Sequence, residues 1–263
     1  MQNELLAVAV AAAQAGGEVL KRYFGGLRPE EVSEKGVNDW VSAADRASED
    51  VILEMLHRLT PGIGVLAEES GRRGDAGLSW VVDPLDGTAN FVRRFPHFGV
   101  SVALVEDDRP LLGAVFDPLR DDLFSAAAGK GAWRNGAPCR VSTRPGLAGS
   151  FLATGFPFRV HPVIDTYLAM FREVFLQSGA IRRPGAATLD LAHTAVGIFD
   201  GFFELALSPW DLAAGILLIR ESGGVVTNFD GGRDVFTSGN VIAGGPSVHR
   251  ELLRIISARW TES

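Results

Sequence analysis

Apolar positions recur at helical spacing along the first 24 residues, through Leu5, Val8, Ala12, Val19, Leu20, Tyr23 and Phe24, and predict an amphipathic first helix. Arg28 to Asn38 is polar, mixed in charge and without period, and carries Pro29 and Gly36, so it reads as a loop or loosely ordered hairpin. A second helix is predicted from about Ala43. Ala47, Val51, Met55 and Leu59 form one stripe, Ile52 and Leu56 lie beside it, and Pro61-Gly62 ends it. Two short apolar runs follow, Ile63 to Ala67 and Trp80 to Val82, closing on Glu68-Glu69 and Asp83 respectively. Buried strands whose ends carry chemistry have this pattern.

Between Phe98 and Ala128 the runs FGVSVALVE, LLGAVF and DLFSAA, joined by polar turns, predict an antiparallel meander, and Asn135-Gly136 signals a hairpin. The stretch Arg144 to Gly149 is the best boundary, dividing an N-terminal α+β part, 1–146, from a C-terminal α/β part, 147–263. Strands and helices alternate in the second part. Strands are expected at Phe151 to Thr154, Phe202 to Leu207, Gly224 to Thr227 and Val241 to Ala243. Helices are expected at Pro162 to Gln177, Leu189 to Phe199, Asp211 to Glu221 and Ser247 to Arg259. Helices sandwiching mixed sheets are the predicted architecture.

Composition narrows the class. The chain of 263 residues is 46% hydrophobic and 22% charged, which describes a folded globular protein. Its 32 acids against 25 Lys and Arg give a net charge of −7, which disfavours binding of nucleic acid or an anionic membrane through bulk charge. The single cysteine, Cys139, excludes an internal disulfide and a cysteine-based zinc site, and points to the cytoplasm. The apolar start imitates a signal peptide, but Glu4 stands where a positive start belongs and the helical spacing runs past the cleavage point. No uncharged run reaches the roughly 18 apolar residues of a membrane span.

The densest chemical signal is Asp83-Pro84-Leu85-Asp86-Gly87-Thr88-Ala89-Asn90-Phe91. Two carboxylates three residues apart at a strand end, separated by a proline that fixes the backbone, can converge on one cation, with the carbonyl between them turned inward. A helix starting at Gly87-Thr88 would aim its free amides at the same spot and hold a phosphate. Glu68-Glu69 closes a strand where only one of two neighbours can face a shared site. Asp211 follows Ser208-Pro209-Trp210 and opens an apolar helix, where an acid is also an ordinary cap. An oxygen-lined site without His or Cys prefers Mg²⁺ or Mn²⁺ to zinc. The five histidines are scattered, GKGAWRNG lacks the P-loop residues, and neither a GxSxG elbow nor an EF-hand loop occurs.

These motifs resemble, in order and over nearly the whole chain, the inositol monophosphatase superfamily of Mg²⁺-dependent, lithium-sensitive phosphatases. They are Lys35 with Asp39-Trp40-Val41-Ser42 and Asp45; GVLAEES; WVVDPLDGTANF; GKGAWRNG; RRPGAATLDLA; and Trp210-Asp211 through ESGG. The resemblance implies an alternating αβαβα sandwich of the inositol monophosphatase and fructose bisphosphatase type, commonly dimeric. It implies that Glu68, Asp83 and the Leu85 carbonyl bind a first metal, that Asp83, Asp86 and Asp211 bind a second, and that a third, looser ion uses Glu68. Asp45 and Thr88, supported by Glu69, would help deprotonate the attacking water. The Gly87 and Thr88 amides would hold the phosphate, and Asp86, Ala187, Glu204 and Asp211 would line the side where the alcohol leaves. Phosphate monoesters need charge offset on both attacking and leaving oxygens, which two or three divalent ions about 4 Å apart supply. Gly185-Ala186-Ala187-Thr188 stands where Gly-Ser/Thr-Ala-Ala is commoner, so a hydroxyl that could reach substrate has moved or gone.

The expected substrate is myo-inositol 1-phosphate, by closeness of DGTANFVRRFPHFGVSVAL to that branch. Fructose 1,6-bisphosphate stays open because Arg93, Arg94, Arg182 and Arg183 could meet a second phosphate. Histidinol phosphate and phosphoadenosine phosphate are further alternatives. A non-catalytic regulator that binds metal and phosphate is the alternative of a different class.

Overall fold

Helix α1, Gln2–Tyr23, buries Ala9, Ala12, Ala13, Gly16, Gly17, Val19 and Leu20 on the stripe the sequence marks. The computed structural model describes residues 2–36, 39–75, 77–156 and 163–260. The side chains of Lys35 and Asp39, and Pro162 and His161, lie outside the described residues. Within the stretch predicted as a loop or loose hairpin, Pro29–Glu31 forms a 3-10 turn and β1 (Val32–Gly36) pairs antiparallel with β2 (Asp39–Ser42). Ser42 then caps α2 (Ala43–Leu59), accepting from Ala44 N at 3.2 Å. At Gly16 α1 and α2 approach closely: a Cβ there would meet Ile52 Cδ1 at 2.6 Å.

Eight strands follow: β3 (Gly64–Ala67), β4 (Gly71–Arg73), β5 (Leu78–Asp86), β6 (Gly99–Glu106), β7 (Arg109–Asp117), β8 (Asp122–Ala127), β9 (Gly131–Arg134) and β10 (Ala137–Pro138). They form one sheet in the order β10-β9-β8-β7-β6-β5-β3-β4, with β3 and β5 parallel and the other pairs antiparallel. The meander predicted from Phe98 onward is β6-β7-β8. Asn135 (φ 49°) and Gly136 (φ 80°) give the β9–β10 turn two left-handed residues, the geometry that Asn-Gly signals. A short helix, α3 (Thr88–Val92), sits between β5 and β6.

The rest of the chain supplies β11 (Phe151–Thr154), α4 (Ile164–Gln177), β12 (Ala180–Arg182), α5 (Ala187–Ala195), β13 (Gly201–Glu204), α6 (Pro209–Glu221), β14 (Val225–Thr227), α7 (Val235–Ser238), β15 (Val241–Gly244) and α8 (Pro246–Ser257). Its sheet runs β12-β11-β13-β15-β14. β11 is parallel to β12 and β13, and β15 is antiparallel to both its neighbours. α5 starts two residues before its predicted start and stops at Ala195, because Gly197 (φ 73°) turns the chain and sends Phe199 back into the core. The three-residue strands β4 and β12 carry no alternation to detect.

Burial resolves the molecule into an αβαβα stack. α1 and α2 cover one face of the large sheet through Ala12, Leu20, Ile52, Trp80, Val82 and Val102. α5 and α6 fill the space between the sheets, joining Val81, Ala103 and Val115 of the first to Ala153, Phe202 and Ala243 of the second. α4 and α8 close the outer face through Tyr167, Met170, Leu252 and Ile256 against Leu152, Phe203 and Ile242. α6 is apolar all round, with Leu212 to Ile219 buried, because it has a sheet on either side. Cys139 is free and buried in the central layer, which pushes its thiol up to about 11. Among the described residues no helix is long and apolar enough to cross a membrane.

Candidate metal and phosphate site

The site begins with an irregularity in β5. Asp83 pairs with Ser101 and Asp86 with Gly99, so β5 carries one residue more than β6 over this interval. In a regular strand, residues three apart point to opposite faces, and the bulge brings Asp83 and Asp86 into one cleft. Pro84 sits in the bulge, where no ladder donor is needed, and its carbonyl accepts Ser48 Oγ of α2 at 2.8 Å. Leu85 lines the cleft, and its carbonyl accepts the Thr88 hydroxyl at 3.0 Å. Asp211 arrives from the first turn of α6.

One ligand oxygen each from Asp83, Asp86 and Asp211 lie within 4.8 Å of one another. Each carboxylate accepts a backbone amide. Asp83 Oδ1 accepts Leu85 N at 3.0 Å, Asp86 Oδ2 accepts Thr188 N at 2.7 Å, and Asp211 Oδ2 accepts Ser208 N at 2.7 Å. Asp211 is therefore both the ordinary cap and a cleft residue. Burial, then the charges of Glu68, Asp86 and Asp211, push Asp83 well above the usual carboxylate range. Burial likewise raises Asp86, against the hydrogen bonds from Thr188. Buried acids facing one another in an all-oxygen donor set fit a hard divalent cation, which relieves their repulsion.

Asp45 and Thr88 meet as expected. The Thr88 hydroxyl lies 2.9 Å from Asp45 Oδ1 and 3.0 Å from the Leu85 carbonyl, while Asp45 Oδ2 accepts Ser42 N at 2.8 Å and Ser42 Oγ at 2.6 Å. Burial raises Asp45 to about 6; the bonds from Ser42 and Thr88 oppose the shift and the charge of Glu69 adds to it. Glu68 and Glu69 occupy the turn after β3 rather than the strand. Glu68 lines the cleft and acts on Asp83, whereas Glu69 stands outside the lining residues and acts on Asp45. The Glu69 amide donates to Glu49 Oε2 at 2.9 Å. Glu49 is buried beside Asp45 on α2, and its only mark in the sequence is the four-residue spacing from Asp45.

The cleft encloses about 360 Å³, and Gly87, Ala187 and Glu204 line it with the acids. Glu204 ends β13 beside Gly155, where a Cβ would lie 1.8 Å from Glu204 Oε1. Burial and the charges of Asp190, Asp211 and Asp86 raise Glu204 well above its usual range. Trp40, from the Asp39–Ser42 motif, and Phe156, which the sequence did not single out, add aromatic walls. Of the four arginines named above, Arg183 lines the cleft, while Arg182 lies over the Phe151 ring at 4.8 Å. Among the described residues no histidine lines it. His97, His193 and His249 are held neutral by burial, the last two near 4. The GKGAWRNG glycines are elsewhere, with Gly129 N and Gly131 N each donating to the Glu221 carboxylate at 2.8 Å.

Comparison with known proteins identifies the family and the fold. The model of the inositol monophosphatase family matches residues 1–262. Nus factor SuhB of Escherichia coli K12 is 43% identical over 253 residues, 95% of either chain. Among solved structures, the extragenic suppressor protein suhB from Bartonella henselae superposes with a TM-score of 0.93 at 43% identity, covering 96% of this chain and 98% of that one. An inositol monophosphatase from Anabaena (Nostoc) sp. PCC 7120 gives 0.88 at 39% identity, covering 97% and 96%.

Proposed function

The chain belongs to the inositol monophosphatase family, and on that premise we propose that it is a Mg²⁺-dependent phosphomonoesterase, with Mn²⁺ the alternative ion, that hydrolyses myo-inositol 1-phosphate to inositol and phosphate. The convergence of Asp83 and Asp86 of β5 with Asp211 of α6 onto one cleft is the observation that supports it. Glu68, Asp83 and the Leu85 carbonyl would hold one ion, Asp83, Asp86 and Asp211 a second, and Glu68 a looser third. Such ions would supply charge to offset the phosphate and make a water acidic enough to attack at neutral pH. Thr88 donates its hydroxyl hydrogen to Asp45 Oδ1 and so presents a lone pair to the attacking water, whose proton the pair receives; Glu69 supports Asp45. The Gly87 and Thr88 amides hold phosphate oxygens. As water attacks phosphorus and the ester bond breaks, the alcohol leaves past Asp86, Ala187, Glu204 and Asp211.

Purified protein should release phosphate from inositol 1-phosphate with Mg²⁺, stop on chelation, and lose most activity in Asp83→Asn. Near wild-type turnover in that variant would overturn the metal assignment. Fructose 1,6-bisphosphate is the next substrate to try, since Arg183 in the cleft could meet a second phosphate; histidinol phosphate and phosphoadenosine phosphate, each with and without lithium, complete the panel. The relatives named Nus factor favour a second reading, a regulator that binds metal and phosphate without turnover. Mg²⁺ and inositol phosphate binding with no phosphate released would carry it. On the first reading the enzyme is cytoplasmic and homodimeric, with no role for nucleic acid or membrane. The exposed Leu168, Phe175 and Leu176 of α4 offer an apolar face, and light scattering at twice 28.1 kDa tests the dimer.

A further inference from the structure

The hydroxyl of Thr188 does not reach into the cleft for substrate. It lies 2.6 Å from Asp86 Oδ2, the oxygen that also accepts the Thr188 amide at 2.7 Å. The Ala187 amide reaches Asp86 as well. These amides are the first of α5, whose preceding residue, Ala186, has no side chain able to cap it. Asp86, from the end of β5, is thus the anion that closes the N-terminus of α5, and Thr188 adds an O–H to the same carboxylate. Thr188 is fully buried, so no water competes for that bond.

We propose that Thr188 is a positioning residue for the metal centre, fixing Asp86 as a one-oxygen ligand; the inference rests on the metal reading above. The geometry leads there in two steps. With the Thr188 amide and hydroxyl both on Oδ2, an ion in the cleft is left to Oδ1, so Asp86 offers it one oxygen rather than two. The carboxylate is also held from both sides, by β5 through its own backbone and by α5 through Thr188, which sets its angle to Asp83 and Asp211 across the 4.8 Å cluster. Groups that orient metal ligands commonly change affinity 10- to 100-fold when removed. Loss of the hydroxyl alone, with the amides kept, belongs at the lower end of that range.

The test uses the full chain stripped of metal. Mn²⁺ binding is measured by calorimetry and by the loss of free Mn²⁺ signal in electron paramagnetic resonance, on wild type, Thr188→Val, Thr188→Ala and Thr188→Ser, with circular dichroism reporting the fold. Val keeps the branched shape without the hydroxyl, Ala tolerates any misfit of Val, and Ser keeps the hydroxyl alone. Val and Ala should bind the Asp86-dependent ion about tenfold more weakly, and Ser should stay within about threefold of wild type; the same order should appear in the Mg²⁺ concentration for half-maximal activity. Wild-type affinity in either Val or Ala, tighter binding in either, or Ser as weak as Val overturns the proposal. If wild type itself takes up no Mn²⁺, the metal reading has failed, and with it the premise.

Discussion

At the scale of single residues, the site is a set of carboxylates each given two tasks. Asp211 and Asp45 cap their own helices with one oxygen, Asp83 closes a tight turn onto Leu85 N, and Asp86 closes a helix from another part of the chain. The sequence showed which acids, because Asp-Pro-Leu-Asp-Gly-Thr and Trp-Asp are dense local signals. It could not show Thr188 on Asp86, a contact between residues 102 positions apart. Glu204 was legible only through the family resemblance, since an acid after Gly-Phe-Phe carries no local mark. Its placement depends on what is missing beside it. A methyl group at residue 155 would collide with Glu204 Oε1, so Gly155→Ala should push that carboxylate off the leaving-group side. Loss of one such hydrogen-bonded contact is worth on the order of tenfold in binding. Steady-state kinetics should show KM for inositol 1-phosphate rising about that much, with the Mg²⁺ requirement unchanged; an unchanged KM would remove Glu204 from the substrate side.

At the scale of elements, periodicity read the long ones well. α1, α2, the β6-β7-β8 meander and α8 fall close to where their apolar spacing puts them, because the helices bury one stripe and β6 and β7, covered on both faces, read as nearly unbroken apolar runs. The bulge in β5 was not readable, since which residue of Asp83 to Asp86 is the extra one depends on the partner strand. Nor was the closeness of α1 and α2, which turns on Gly16 as a contact rather than as a helix breaker. The residue faces Ile52 and Ser48 of α2, and Ser48 in turn holds the Pro84 carbonyl of the bulge. Gly16→Val should wedge the helices apart and destabilise the protein by about 2 kcal/mol, the usual cost of overpacking. Urea denaturation followed by circular dichroism measures it. Activity should fall as well, because the wedge reaches β5 through Ser48; a variant of unchanged stability would show that α1 is free to shift.

At the scale of the whole molecule, the acidic excess of seven is unevenly placed, with Asp83, Asp86, Asp211, Glu68 and Glu204 gathered in one cleft. Of these, Asp83, Asp86 and Glu204 have raised proton affinity when folded, so in the absence of metal they make the protein more tolerant of acid. His249 works in the opposite direction. Burial takes its imidazole from 6.5 to about 4, while Nε2 stays 3.0 Å from Thr227 Oγ1. The unfolded chain therefore takes up this proton first as pH falls, and stability drains away between about pH 6.5 and 4, by about 3 kcal/mol at most. His249→Gln isolates the effect: in chelator, wild type should lose stability relative to the variant over that window, and a constant difference would mean the histidine is not held neutral. The same melts address how the layers cooperate. The α5-α6 layer belongs to both sheets at once, since Val81, Ala103 and Val115 of one and Ala153, Phe202 and Ala243 of the other share its apolar cluster. Neither sheet can lose that layer and keep a dry face, so unfolding either should expose the other. Calorimetry should give one transition whose van't Hoff and calorimetric enthalpies agree, in wild type and in variants of either half. Two resolved transitions would mean that residues 1–146 and 147–263 hold together independently and meet only at the cleft.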